Sequence, residues 1–195
     1  MRAIVDKILA ESLSIKERFI RRNADRLIRA SEKIATAMAG DRKLLLCGNG
    51  GSAADAQHIA AEFVNRFSLE RPPLPAIALT TDTSILTSIG NDYSFEQVFS
   101  KQVKALGMAG DVLLAISTSG NSPNVLEAVK AARALGIYTI ALGGGDGGKM
   151  ADMVDLPILA GGGSTARVQE AHILAGHIIC RLVDHILFQS HLSGE

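Results

Sequence analysis

Hydrophobic positions along the chain follow two periods. Over residues 4–39 apolar side chains recur at helical spacing (Ile4, Ile8, Ile15, Phe19, Leu27, Ile34, Met38) and proline is absent, which predicts helix. The polar group Asn23-Ala24-Asp25 marks a candidate break into two helices, and Gly40-Asp41 a stop. Beyond that point short apolar runs alternate with helical patterns. Residues 44–47, 76–79, 112–116, 138–142 and 156–159 read as strands. Residues 52–67, 83–89, 95–105, 124–135 and 165–188 read as helices, and the tail 191–195 as a frayed end. Five short apolar strands separated by helices predict a parallel sheet covered on both faces, an α/β sandwich of three layers. The expected division is a helical arm over residues 1–40, its apolar stripe suited to a subunit interface, and an α/β domain over residues 41–195.

Ligands on such sheets bind beyond the carboxyl ends of the strands. That rule selects the 48–52, 80–83, 117–122 and 143–148 loops. The second half of the chain offers the richest of them: Ser117-Thr118-Ser119-Gly120-Asn121-Ser122-Pro123, set between a strand and a helix. Hydroxyls, backbone N–H groups and a helix N-terminus converge there, which are the parts of a phosphate site. No Gly-Lys-Ser/Thr follows and no GxGxxG is present, so a small phosphorylated metabolite suits the loop better than a nucleotide. Cys47-Gly48-Asn49-Gly50-Gly51-Ser52 has the same construction, with Ser52 as the expected N-cap. Two such loops in one small domain predict a single cleft with two polar walls. The glycine runs at 143–148 and 161–163 read as turn chemistry rather than ligand contacts.

Composition narrows the partners. A formal net charge of +0 and 4% aromatic residues argue against nucleic acid and an anionic membrane surface. Cys47 and Cys180 both fall in apolar runs and read as buried free thiols of a reducing compartment. Charges interrupt the apolar positions of the first residues, against a signal peptide, and no stretch reads as a membrane span, so a cytoplasmic protein is expected.

The chemistry lies on two helices. His58 and Glu62 are four apart and share a face of the helix that follows the 48–52 loop. A carboxylate held near the cleft can abstract a proton from a carbon beside a carbonyl. On the last helix Gln169 and His177 are eight apart, about 80° around the axis, and can face one cavity. His58, Glu62, Gln169 and His177 together can also bind a borderline-soft divalent metal, although glutamine is a poor ligand. Asn91-Asp92 read either as an Asx turn capping the next helix or as a pair that binds substrate hydroxyls. His185 and His191 read as surface residues.

Taken together, CGNGGSAADAQHIAAEF, ALTTDTSILTSIGNDYSFEQVFSKQV, GDVLLAISTSGNSPNV and ARVQEAHILAGHIICRLVD resemble the sugar isomerase (SIS) domain family over nearly the whole chain. The resemblance implies a central five-stranded parallel sheet, a homotetramer, and aldose–ketose isomerisation of a sugar phosphate. The branch it most resembles converts D-sedoheptulose 7-phosphate to D-glycero-D-manno-heptose 7-phosphate, toward the heptose of the lipopolysaccharide core. It implies phosphate binding by Ser117, Thr118, Ser119 and Ser122 with help from Ser52, and substrate contacts from Asn49, Gly50, Gly51, Asn91 and Asp92. Glu62 becomes the base, His177 its acid/base partner, and Gln169 the residue holding the reacting end. Zinc-binding members use the positions of His58, Glu62, Gln169 and His177, one ion per subunit, with no organic cofactor. Ala166 departs from the acidic residue of some members. A non-enzymatic branch, whose tetramer binds the bacterial replication initiator, is the alternative; retention of Glu62 and of Ser119 argues against it.

Overall fold

A computed structural model of the chain describes residues 1–189, so the tail expected to fray, with His191, lies outside the described residues. The helices and strands alternate as α1 (Arg2–Ala39), β1 (Leu44–Gly48), α2 (Gly51–Val64), β2 (Ala76–Ala78), α3 (Thr83–Asp92), a single 3₁₀ turn (Phe95–Gln97), α4 (Val98–Leu106), β3 (Val112–Ser117), α5 (Pro123–Ala134), β4 (Tyr138–Gly143), α6 (Gly148–Met153), β5 (Leu156–Leu159) and α7 (Thr165–Phe188). All five strands are parallel, in the order β2-β1-β3-β4-β5.

Alternation along the strands builds the three layers. Leu44, Leu46, Leu114, Ile116, Ile140 and Ile158 face one side and pack with α1, α2 and α7. Leu45, Cys47, Leu113, Ala115 and Ala141 face the other and pack with α4, α5 and α6. The period-2 pattern is hidden in the sequence because both faces are buried and nearly every position is apolar, Ser117 and Thr139 aside. Burial pushes the Cys47 and Cys180 thiols up to about 12, so both stay protonated, as their setting predicts.

Helix α1 is unbroken. Asn23, expected at a break, is buried within it: its Nδ2 donates to the carbonyls of Phe19 (2.9 Å) and Leu159 (3.0 Å), and its Oδ1 accepts from Leu159 N (3.4 Å). The polar residue stitches the helix to the edge strand β5 and leaves the helical ladder intact. Residues 12–38 supply the buried side chains, while residues 1–11 overhang with Ile4, Val5, Ile8 and Leu9 exposed. Helix α7 is the one helix among the described residues long and apolar enough, by length and composition, to cross a membrane, which the sequence reading did not expect. It carries the buried polar residues His172 and Asp184 and packs on α1 and α2, as a core helix does.

Candidate active site

The strand order reverses between β1 and β3, with Gly48 level with Ile116, so the loops after these two strands open a crevice between them. In the first loop Gly50 adopts φ 53° and stands at the N-cap of α2. Ser52 is therefore not the cap: the left-handed turn requires glycine there, and Ser52 becomes a buried residue of the first helical turn. Asn49 turns its amide to Asn124 of α5, in a reciprocal pair of hydrogen bonds of 2.8 Å each. Asn124 is buried and also accepts from Val125 N at 3.0 Å. This amide clamp joins the two walls of the crevice, and nothing in the sequence motifs singles Asn124 out.

In the second loop the hydroxyls of Ser117 and Ser122 lie 3.0 Å apart, Ser117 is buried, and Ser119 is exposed with its Oγ accepting from Asn121 N at 3.2 Å. Gly120 takes φ 63° against the Gly147 carbonyl, where a Cβ would collide, and a Cβ on Gly148 would stand 2.6 Å from the Ser119 carbonyl. The 143–148 glycines are thus partly loop-to-loop packing, beyond the turn chemistry expected of them. Thr118 and Ser119 share an open cavity of about 300 Å³ with Gly144, Asp146, Gly162 and Thr165, the last at the start of α7.

A second cluster forms where α2 and α7 lie side by side. His58 Nε2 is 3.4 Å from Glu62 Oε1 and 3.0 Å from His177 Nε2. The two imidazoles meet edge to face, and Phe67, which lies past the end of α2 rather than within it, flanks His177 with ring centroids 5.4 Å apart. Gln169 reaches the start of the same helix, its amide so close to Gly51 that a Cβ there would collide with it. Gly176 makes the approach possible further along, because a Cβ on it would lie 2.5 Å from Ile59 Cδ1. Asp55, one turn before His58, has a partly buried carboxyl raised above the ordinary carboxylate range by burial, with His58 pulling the other way.

Asn91 and Asp92 are exposed in the last turn of α3 and bond to each other at 2.9 Å. They do not cap the next element: its N-cap is Ser94, which makes no side-chain cap bond. Among the described residues no hydrogen bond joins them to either loop or to the His58 cluster. Near Ala166, Arg167 pairs with Glu170 at 2.7 Å and donates to the Ile8 carbonyl at 3.2 Å. His185 is exposed, as expected.

This geometry has close relatives. The SIS domain model matches residues 8–144. A phosphoheptose isomerase of Nitratidesulfovibrio vulgaris (strain Miyazaki F) is 56% identical over 192 residues, 98% of this chain and 92% of the relative. The structure of a phosphoheptose isomerase from Neisseria gonorrhoeae superposes with TM-score 0.89 at 50% identity, covering 94% of this chain and 98% of that one. One from Francisella tularensis gives TM-score 0.91 at 38% identity, covering 94% and 97%. With the five-stranded sheet, the serine loop and the paired His–Glu helices in place, the chain belongs to the SIS-domain family, among the bacterial phosphoheptose isomerases.

Proposed function

We propose that the chain isomerises D-sedoheptulose 7-phosphate to D-glycero-D-manno-heptose 7-phosphate, a step toward the heptose of the lipopolysaccharide core. The observation that carries this reading is the convergence of Glu62 and His177 on His58, beside a serine loop whose Ser117 and Ser122 hydroxyls lie 3.0 Å apart. Ser117, Thr118, Ser119 and Ser122, with Ser52 across the crevice, hold the phosphate; Asn49, Gly50, Gly51, Asn91 and Asp92 border the sugar. Anchoring the phosphate positions the distant reacting carbons. Glu62 removes a proton from C1 of the open-chain ketose and returns it at C2. His177 moves the hydroxyl proton between the two oxygens, and Gln169 steadies the developing enediolate by hydrogen bonding. Atoms balance within the substrate, so the reaction calls for no organic cofactor.

We also propose one zinc ion per subunit. Among the described residues no three His, Cys, Asp or Glu side chains close into a metal-binding group, and His58 Nε2 acts instead as a hub toward Glu62 and His177. Two spacings support the reading: ligands on a tetrahedral shell of ~2.0–2.1 Å radius lie ~3.3 Å apart, and His58 Nε2 is 3.0 Å from His177 Nε2 and 3.4 Å from Glu62 Oε1, while the Gln169 amide lies against Gly51. His58, Glu62, Gln169 and His177 would hold the ion, which when bound polarises a substrate oxygen.

The assembly we propose is a cytoplasmic homotetramer, with the α1 overhang packed into an interface. The initiator-binding alternative finds no support in the relatives above, which carry the isomerase name. Incubation of the zinc-supplemented protein with sedoheptulose 7-phosphate, followed by NMR, tests the reading: an aldose 7-phosphate product is expected, and absence of product with and without zinc contradicts it.

A further inference from the structure

Arg71 stands in the connection between α2 and β2, outside every motif above, and it is buried together with Asp184 of α7. All three guanidinium nitrogens are engaged. Nε donates to Asp184 Oδ1 at 3.0 Å, and Nη2 donates to the backbone carbonyl of Glu62 at 3.0 Å. Nη1 donates to the carbonyls of Phe63 at 2.7 Å, Pro72 at 3.1 Å and Asn65 at 3.3 Å. Three of these carbonyls belong to the last turn and C-cap of α2, a helix with no basic residue of its own at that end. Arg71 thus satisfies the orphan carbonyls and places a positive charge at the negative end of the helix dipole.

Burying an ion pair is costly, and a hydrophobic pair of similar volume is often as stable. What the pair does that a hydrophobic one does not is join specific points on the two helices that carry the reaction. One end grips the backbone of Glu62; the other grips Asp184, seven residues, about two helical turns, beyond His177. We propose that Arg71 is a positioning residue: through the Glu62 carbonyl and the Asp184 carboxylate it fixes the Glu62 side chain against His177 at the reacting carbons. The inference rests on Glu62 being the base. Lysine cannot replace it, since one ammonium has three donors from a single point and no planar fork.

Arg71→Lys, Asp184→Asn and Glu62→Gln, prepared in the full chain at matched zinc content, test this by steady-state kinetics on sedoheptulose 7-phosphate alongside thermal melting. Ile158→Ala, a core truncation on the far edge strand, serves as a control for lost stability alone. Arg71→Lys and Asp184→Asn are expected to remain folded at the assay temperature and to lose at least about tenfold in kcat, with KM within about threefold, because the phosphate grip lies on other elements. The control is expected to melt earlier at unchanged kcat. A folded Arg71→Lys or Asp184→Asn with kcat within about threefold of wild type, while Glu62→Gln is inactive, overturns the positioning role and leaves the base assignment standing. A raised KM at unchanged kcat overturns it as well, and so does failure of both variants to fold, which makes Arg71 a stability element. Turnover by Glu62→Gln at full metal content removes the base assignment on which the inference rests.

Discussion

At the scale of single residues, the side chains that meet in the structure were legible wherever a local rule places them. The i,i+4 spacing of His58 and Glu62 and the serine loop after an apolar run needed no knowledge of the fold, and His58 does meet His177 across 119 positions of sequence. Residues whose role comes from a distant partner were not legible. Asn124 acquires its meaning from Asn49, 75 positions away, and Arg71 from Asp184, 113 positions away. Glu62→Gln keeps shape and polarity but removes the proposed base, so turnover should vanish while substrate still binds; calorimetric titration beside the kinetics checks it, with zinc content measured because Glu62 is also a proposed ligand. Asn124→Asp places a carboxylate oxygen against Asn49 Oδ1. It should cost about 1–3 kcal/mol of stability and raise KM several-fold, since the two walls of the crevice lose their clamp; an unchanged KM would leave the clamp purely structural. His172 is fully buried with neither ring nitrogen hydrogen-bonded, and burial holds its pKa below 6.5, although the nearby Gly143 carbonyl favours the charged form. The unfolded chain takes up that proton near its ordinary value while the folded one resists. The corresponding stability is therefore full above about pH 6.5 and declines as pH falls below it. His172→Phe should flatten that acid slope in melting curves recorded across the window; an unaltered slope would assign it to other groups.

Among the elements, strand and helix identities followed from periodicity, whereas their ends and caps did not. The expected break in α1 failed because Asn23 satisfies its amide on β5, a tertiary bond that no local rule contains. The expected Ser52 cap failed because the backbone at Gly50 takes a conformation that suits glycine. Helix α6 escaped notice since it is six residues long and starts inside the glycine run. The start of α1 presents the longest run of exposed apolar side chains among the described residues: Ile4, Val5, Ile8 and Leu9 of the overhang and Leu13 just past it are 63, 60, 45, 57 and 59% exposed. Covering them is worth on the order of 1 kcal/mol each, against an association cost of ~4–15 kcal/mol, so the overhang contributes to an interface without supporting one alone. Leu9→Lys with Leu13→Lys should shift the oligomer toward smaller species in light scattering while the melting of the subunit core changes little. An unchanged mass would place the interface elsewhere.

For the whole molecule, alternation of strands and helices established a parallel sheet with two covered faces, and the structure has that sheet. The strand order did not follow from alternation, because crossovers to either side of β1 satisfy the same pattern; it is the order β2-β1-β3 that puts the 48–52 and 117–122 loops side by side. The tetramer expected from the resemblance should appear in light scattering at about 82 kDa, four times the 20.5 kDa chain, and a monomer mass at micromolar protein would contradict it. The central claim is that this fold brings one carboxylate to the carbon next to a sugar carbonyl and moves a proton there. Its most direct measurement is proton NMR of the isomerisation of sedoheptulose 7-phosphate in deuterated water. A base that exchanges with solvent between C1 and C2 predicts an aldose 7-phosphate carrying deuterium at C2. The same aldose with no deuterium at either carbon would contradict the proton-transfer account, and no aldose at all would contradict the isomerase.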